Sequence, residues 1–186
     1  MKNASELFTG AVLTGGGSTR MGRDKALIVV DGVALAVRTA TVLRDAGASA
    51  VVAVGGDVDA LVALGLDART DLYPGEGPLG AILTAFDAAS TDLVVVLACD
   101  LPSVDAATVR RLLETIADHA AAVPITDRAH PLCAVYRVSG CAALLGQALA
   151  AGERAVHRAL EVVDVIRVDL PDPGVLRNVN RPGDLS

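Results

Sequence analysis

Apolar residues fall along this chain in two rhythms. Short unbroken runs, Gly10–Leu13, Ala50–Val54 and Leu93–Ala98, read as strands. Between them, apolar positions recur every three or four residues, the spacing of a helix with one buried face. The spacing predicts a helix over Ala34–Ala46 closed by Gly47, a second over Pro78–Ala89 with proline at its start, and a third over Asp105–His119 with Asp105 at the N-cap. Ala120–Val123, Leu132–Val138 and Val163–Val168 read as later strands. Leu93–Ala98 (LVVVLA) is the strongest of the strands. Apolar without alternation, it is expected in the middle of a parallel sheet, covered on both faces.

Strand alternating with helix implies an α/β domain with a mostly parallel sheet. In such sheets ligands sit at the carboxyl ends of the strands. The loops after Leu13, Val54 and Ala98 should then share one edge. No repeat, low-complexity linker or charge block divides the chain, so 1–186 is expected to be one domain.

Composition narrows the function. The chain has 186 residues, 52% of them hydrophobic, which suits a packed core. A net charge of −6, no Trp, two Phe and two Tyr argue against nucleic-acid binding, which wants a basic face and stacking platforms. No apolar run reaches the roughly 18 residues of a membrane span. The first ten residues, MKNASELFTG, lack the apolar segment of a secretion signal, and a cytoplasmic location is expected. Cys99, Cys133 and Cys141 are too widely spaced for a CxxC metal motif and odd in number, so they read as small buried thiols.

Candidate chemistry concentrates in one loop, Leu13-Thr14-Gly15-Gly16-Gly17-Ser18-Thr19-Arg20-Met21-Gly22-Arg23-Asp24-Lys25. It fails the dinucleotide fingerprint, because Arg20 stands where the third glycine belongs. It fails the P-loop pattern, because Arg23 and Asp24 follow Gly22. Its physics still favours an anion: glycines turn backbone N–H groups toward a phosphate, and Arg20, Arg23 and Lys25 bring three cations to a short segment of an acidic chain. Asp100 directly follows the strongest strand, well placed to hold Mg²⁺ on triphosphate oxygens. Asp71 opens a Gly/Pro-rich loop that leads into a helix N-terminus, a second phosphate- or base-facing device. With so few aromatics, acceptors such as Asp71 and backbone groups would have to read a base. The N1–H and N2–H donors of guanine suit them.

Leu13-x-Gly15-Gly16-x-Ser18-x-Arg20-Met21-Gly22-x-Asp24-Lys25 resembles the signature of the molybdenum cofactor guanylyltransferase family, within the nucleoside-triphosphate transferase superfamily. Ala98-Cys99-Asp100-Leu101-Pro102 resembles that family's magnesium-binding element, and Gly77-Pro78-Leu79-Gly80-Ala81-Ile82 its nucleotide-lining one with the small residues exchanged. His130-Pro131-Leu132-Cys133-Ala134-Val135-Tyr136, Gly152-Glu153-Arg154-Ala155-Val156 and Asn178-Val179-Asn180-Arg181-Pro182-Gly183-Asp184-Leu185 resemble elements of its second half. Two departures stand out: Thr14 where the family more often has Ala, and Gly55-Gly56-Asp57 where it often carries a nucleotide-touching Asn.

The resemblance implies a Rossmann-like three-layer fold with a nucleotide half over about 9–105 and an acceptor half over about 106–186. It implies nucleotide contacts from Leu13, Thr14, Gly15, Gly16, Gly17, Lys25, Asp71 and Asp100. Lys25, Arg20 and Asp100 would carry catalysis, with Asp100 the Mg²⁺ ligand, and Arg154, Asn178 and Asn180 would meet the acceptor. GTP and molybdopterin are the implied substrates, and transient contact with cofactor-delivering proteins or molybdoenzymes is expected, with neither nucleic acid nor membrane as partner. The same residues leave room for CTP or another phosphorylated acceptor, and for a non-catalytic nucleotide-binding module.

Overall fold

The computed structural model describes residues 6–15 and 24–177. Strands β1 (Phe8–Leu13), β4 (Ala50–Val54), β5 (Asp67–Arg69), β6 (Leu93–Ala98), β7 (Ala121–Ile125), β8 (Cys133–Arg137) and β9 (Val165–Asp169) form one sheet in the order β5-β4-β1-β6-β8-β7-β9. β2 (Val29–Val30) and β3 (Val33–Ala34) form a separate hairpin whose turn, Asp31-Gly32, takes φ of 50° and 80°. Positive φ at both central residues is what a tight two-residue hairpin turn requires.

The sheet is parallel from β5 to β6 and again between β7 and β9, while β8 runs antiparallel to both its neighbours. β6 therefore lies at the seam, parallel to β1 and antiparallel to β8, rather than inside a wholly parallel sheet. Its unbroken apolar run reports burial of both faces and carries no information on strand direction. The burial expectation holds. Val94, Val95 and Val96 are fully buried, each contributing about 1.5–3 kcal/mol of hydrophobic stabilisation.

Alternate residues of β6 enter two separate cores. Leu93, Val95 and Leu97 face a core with Leu35, Ala40 and Leu43 of α1 (Leu35–Ala46), Leu61 of α2 (Val58–Ala63) and Leu112 of α4 (Ala106–Thr115). Val94 and Val96 face a second core with Leu79 and Ile82 of α3 (Gly77–Ala88), Leu145 of α5 (Val138–Ala150) and Val156 of α6 (Val156–Ala159). Helices on both faces of a mostly parallel sheet make the expected three-layer α/β arrangement.

The predicted helices form with small shifts. Gly47 closes α1 in the left-handed conformation, and Ala48 N–H reaches Leu43 O at 3.1 Å. The Asp105 carboxylate caps α4 by accepting from Thr108 N at 2.8 Å. α4 ends at Thr115, short of His119, because Ala117 takes a φ of 43° that no helix continues. Cys99, Cys133 and Cys141 are buried thiols, and burial pushes each up to about 12. No helix among the described residues is long and apolar enough to cross a membrane.

Candidate active site

Strand register brings the three loops to one edge. Leu13 is level with Val54 on one side and Ala98 on the other. Past the strand ends the backbones stay paired: Thr14 N and Gly15 N both donate to Val54 O, at 3.0 and 3.2 Å, and Cys99 N donates to Leu13 O at 3.3 Å. The loop after β5 joins them, since Gly55 N donates to Arg69 O at 2.9 Å.

Close backbone approach explains the glycines that interrupt the family pattern after β4. A Cβ on Gly55 would lie 3.0 Å from Gly15 Cα and 4.0 Å from Asp71 Cβ, and Gly55 itself takes a φ of +80°. A side chain there would force the first loop off the second. The same segment is held by Thr14, whose buried hydroxyl shares its one proton between Val54 O at 2.9 Å and Gly55 O at 2.8 Å. Alanine could make neither bond, so the Thr14 departure adds a fastening that the sequence reading passed over.

Lys25 lies in a short 3₁₀ turn, Lys25–Leu27, and Asp100 two residues beyond the end of β6. Residues 75 apart in the chain, they meet across the edge with Lys25 Nζ 3.8 Å from Asp100 Oδ2, both about a quarter exposed. Burial holds the Asp100 carboxyl above the usual carboxylate range, and the Lys25 ammonium pulls the other way. An ionised carboxylate short of water beside a cation is a site that gains from a further positive charge arriving with a ligand. Among the described residues no group of three or more His, Cys, Asp or Glu side chains could cage a metal. One carboxylate would fit a Mg²⁺-like ion that takes its other ligands from phosphate oxygens and water.

Asp71 is built into its loop. Its Oδ1 accepts from Tyr73 N at 2.9 Å and from Thr84 Oγ1 at 2.8 Å, and Thr84 Oγ1 accepts from Leu72 N at 3.0 Å. This ties the loop after β5 to the buried face of α3. Of the chain's four aromatic residues only Tyr73, on this loop, is exposed.

Arg154 reaches the same edge from the second half. Its guanidinium pairs with Glu76 at the start of α3 and donates to Leu149 O at 3.0 Å, the last turn of α5. Through Glu76 it joins the loop of Asp71 to the α5–α6 turn. His130 stays within its own loop. Thr126 Oγ1 gives its proton to Asp127 Oδ1 at 2.7 Å, so the 2.8 Å contact with His130 Nε2 is donated by the ring. Burial and the nearby Arg128 keep that imidazole below its usual range, hence neutral.

Leu13, Thr14, Gly15, Lys25, Asp71 and Asp100 thus converge on one edge, and Arg154 adjoins them. Gly16, Gly17, Arg20, Asn178 and Asn180 lie outside the described residues. Asp24, which the sequence reading left without a role, accepts from Ala26 N through Oδ1 and from Asp57 N through Oδ2, both at 3.0 Å. Its fixed place in the signature, one residue before Lys25, is the sequence signal for it.

The sequence profile of the MobA-like NTP transferase domain matches residues 10–165, which span the glycine loop and the second half as far as the start of β9. The chain belongs to the MobA-like NTP transferase family. A "Probable molybdenum cofactor guanylyltransferase" of Opitutus terrae is 37% identical over 98% of this chain and 94% of its own length. The "Molybdenum cofactor guanylyltransferase" of Burkholderia vietnamiensis is 34% identical, covering 93% and 91%. Among solved structures, molybdopterin-guanine dinucleotide biosynthesis protein A of Archaeoglobus fulgidus superposes with a TM-score of 0.77 at 27% identity, over 95% and 94% of the two chains. As a MobA-like NTP transferase the chain is a nucleotidyltransferase.

Proposed function

We propose that this protein transfers GMP from GTP to the terminal phosphate of molybdopterin and releases pyrophosphate. The observation that carries the reading is the Lys25–Asp100 pair, 3.8 Å apart on the edge where the glycine loop ends. The names of relatives that match nearly the whole chain support the same substrates.

A phosphate oxygen of the acceptor attacks the α-phosphorus of GTP in line. The new P–O bond forms as the bond to the β-phosphate oxygen breaks, and pyrophosphate leaves. A phosphate monoester is largely dianionic at pH 7, so the nucleophile needs no general base. The protein's work is positioning and charge stabilisation. Lys25, with Arg20 and the N–H groups of Gly16 and Gly17, neutralises the transferring and leaving phosphates, and Gly15, whose own N–H is bonded to Val54 O, lets the nucleotide approach the backbone closely. Leu13 and Thr14 present backbone to the nucleotide. Asp71 and nearby carbonyls accept from the guanine edge. Asp100 would hold Mg²⁺, which would supply positive charge to offset that of the triphosphate. Arg154, Asn178 and Asn180 receive the pterin phosphate, Arg154 by exchanging Glu76 for the incoming anion. The reaction takes place in the cytoplasm, with transient delivery of product to a molybdoenzyme.

Pyrophosphate release from each of the four NTPs, with and without molybdopterin, tests this directly. Release confined to GTP plus acceptor is expected. Release from CTP in preference, or from GTP regardless of acceptor, overturns it.

A further inference from the structure

Among the described residues of the glycine-loop motif, Asp24 alone takes no direct part in the reaction. Its two carboxylate oxygens serve two different parts of the fold. Oδ1 accepts from Ala26 N at 3.0 Å and caps the 3₁₀ turn that begins at Lys25. Oδ2 accepts from Asp57 N at 3.0 Å, in the turn between β4 and α2. That turn is itself fixed, because Asp57 caps α2 by accepting from Ala60 N at 3.0 Å. Gly56 leaves the room for this contact. A Cβ at that position would lie 2.7 Å from Asp24 Oδ2, and its φ is +70°.

On the other side of Lys25, Ala26 is fully buried in the core beneath α1. The Lys25 backbone is therefore held between a clamped carboxylate and a buried methyl, with Leu27 N closing the turn on Asp24 O at 3.1 Å. Gly15 and Asp24, which flank the 16–23 segment in sequence, both bond to the single stretch 54–57.

We infer that Asp24 is a positioning residue for transfer: by bonding Ala26 N and Asp57 N at once, it fixes the Lys25 backbone against the β4–α2 turn so that the ammonium stands opposite Asp100. The inference rests on the transferase reading above. Both bonds need acceptor oxygens at one side chain, and asparagine supplies only one. A lysine displaced by an ångström still attracts a triphosphate but no longer meets the charge that develops in the transition state.

The experiment measures kcat and KM for GTP, with circular dichroism as the check on folding, in wild type, Asp24→Ala, Asp24→Asn, Gly56→Ala and the Asp24→Ala/Gly56→Ala pair. Asp24→Ala should lower kcat by about 10- to 100-fold with KM for GTP changed less than about threefold. Asp24→Asn, with one bond recoverable, should fall between. Gly56→Ala should lower kcat in the wild-type background and cost less in the Asp24→Ala background, where the collision with Oδ2 is gone. Wild-type turnover with an unchanged kcat in Asp24→Ala overturns this inference alone. Effects of Asp24→Ala and Gly56→Ala that multiply fully do the same, and remain measurable through Asp24→Asn if Asp24→Ala does not fold. A wild-type protein without turnover on any NTP overturns the transferase reading and this inference with it.

Discussion

Replacing Asp100 by Asn should make the protein more stable and nearly inactive. Burial raises the Asp100 carboxyl above its ordinary range even though Lys25 Nζ stands 3.8 Å away, so desolvation outweighs the attraction. An acid whose folded pKa lies above its unfolded value adds stability below the unfolded pKa and loses it as pH rises through the folded one. At pH 7 the ionised carboxylate is thus a cost of folding. Asparagine removes that cost, keeps the size of the side chain and retains an acceptor oxygen. Substitutions that relieve a strained site of this kind commonly gain about 0.5–2 kcal/mol. For a chain of this length that corresponds to a Tm about 1–8 °C higher. The gain should be full near pH 7, shrink as pH falls through the raised folded pKa, and vanish well below the ordinary value of 3.8, where Asp100 is protonated in both states. Thermal melts of both proteins across pH 3–8 provide the assay. Adding Mg-GTP should reverse the order by stabilising the wild type alone. A variant less stable than wild type at pH 7 without ligand would refute the reasoning, because the favourable interactions of the carboxylate would then outweigh its desolvation.

Lys25→Ala should lower kcat for pyrophosphate release by about 10²–10³-fold while leaving the far-ultraviolet dichroism unchanged; near-normal turnover would exclude the charge-stabilising role. Thr84→Val removes the hydroxyl that holds Asp71 Oδ1 and Leu72 N. It should cost about 1–3 kcal/mol in denaturant titration and raise KM for GTP. The three thiols, each pushed up to about 12 by burial, should resist dithiobis(nitrobenzoate) at pH 8 in the native protein and react fully once it is unfolded.

Continuous apolar runs and cap residues made the middle of the sheet legible. Leu93–Ala98, the end of α1 at Gly47 and the Asp105 cap follow from local chemistry that tertiary contacts only reinforce. The convergence of the loops after Leu13, Val54 and Ala98 follows from the parallel rule once those strands are placed. Strand direction was not legible, because a buried β8 reads alike in either orientation. Nor was β5: Asp67-Ala68-Arg69 is a three-residue edge strand whose exposed charges suit an edge and hide its pairing. The hairpin carries its own signal, Asp31-Gly32 between Val-Val and Val-Ala. α5 hid its period, because Val138–Ala150 is apolar on nearly every face. In the site, the residues with evident chemistry, Lys25 and Asp100, could be chosen from motif and position. Thr14, Asp24 and Glu76 act by holding other groups, through partners 40, 33 and 78 positions away in the chain. Such partnerships exist only after folding, and no local pattern announces them.

The most direct test of the central claim follows the α-phosphorus itself. The purified protein is incubated with molybdopterin, Mg²⁺ and GTP labelled at the α-phosphate, and the products are separated. The account predicts label in a molybdopterin–guanine dinucleotide and none in pyrophosphate, with cytidine, adenosine and uridine triphosphates giving little product. Label recovered in free GMP or GDP, or a dinucleotide formed preferentially from another triphosphate, would contradict it.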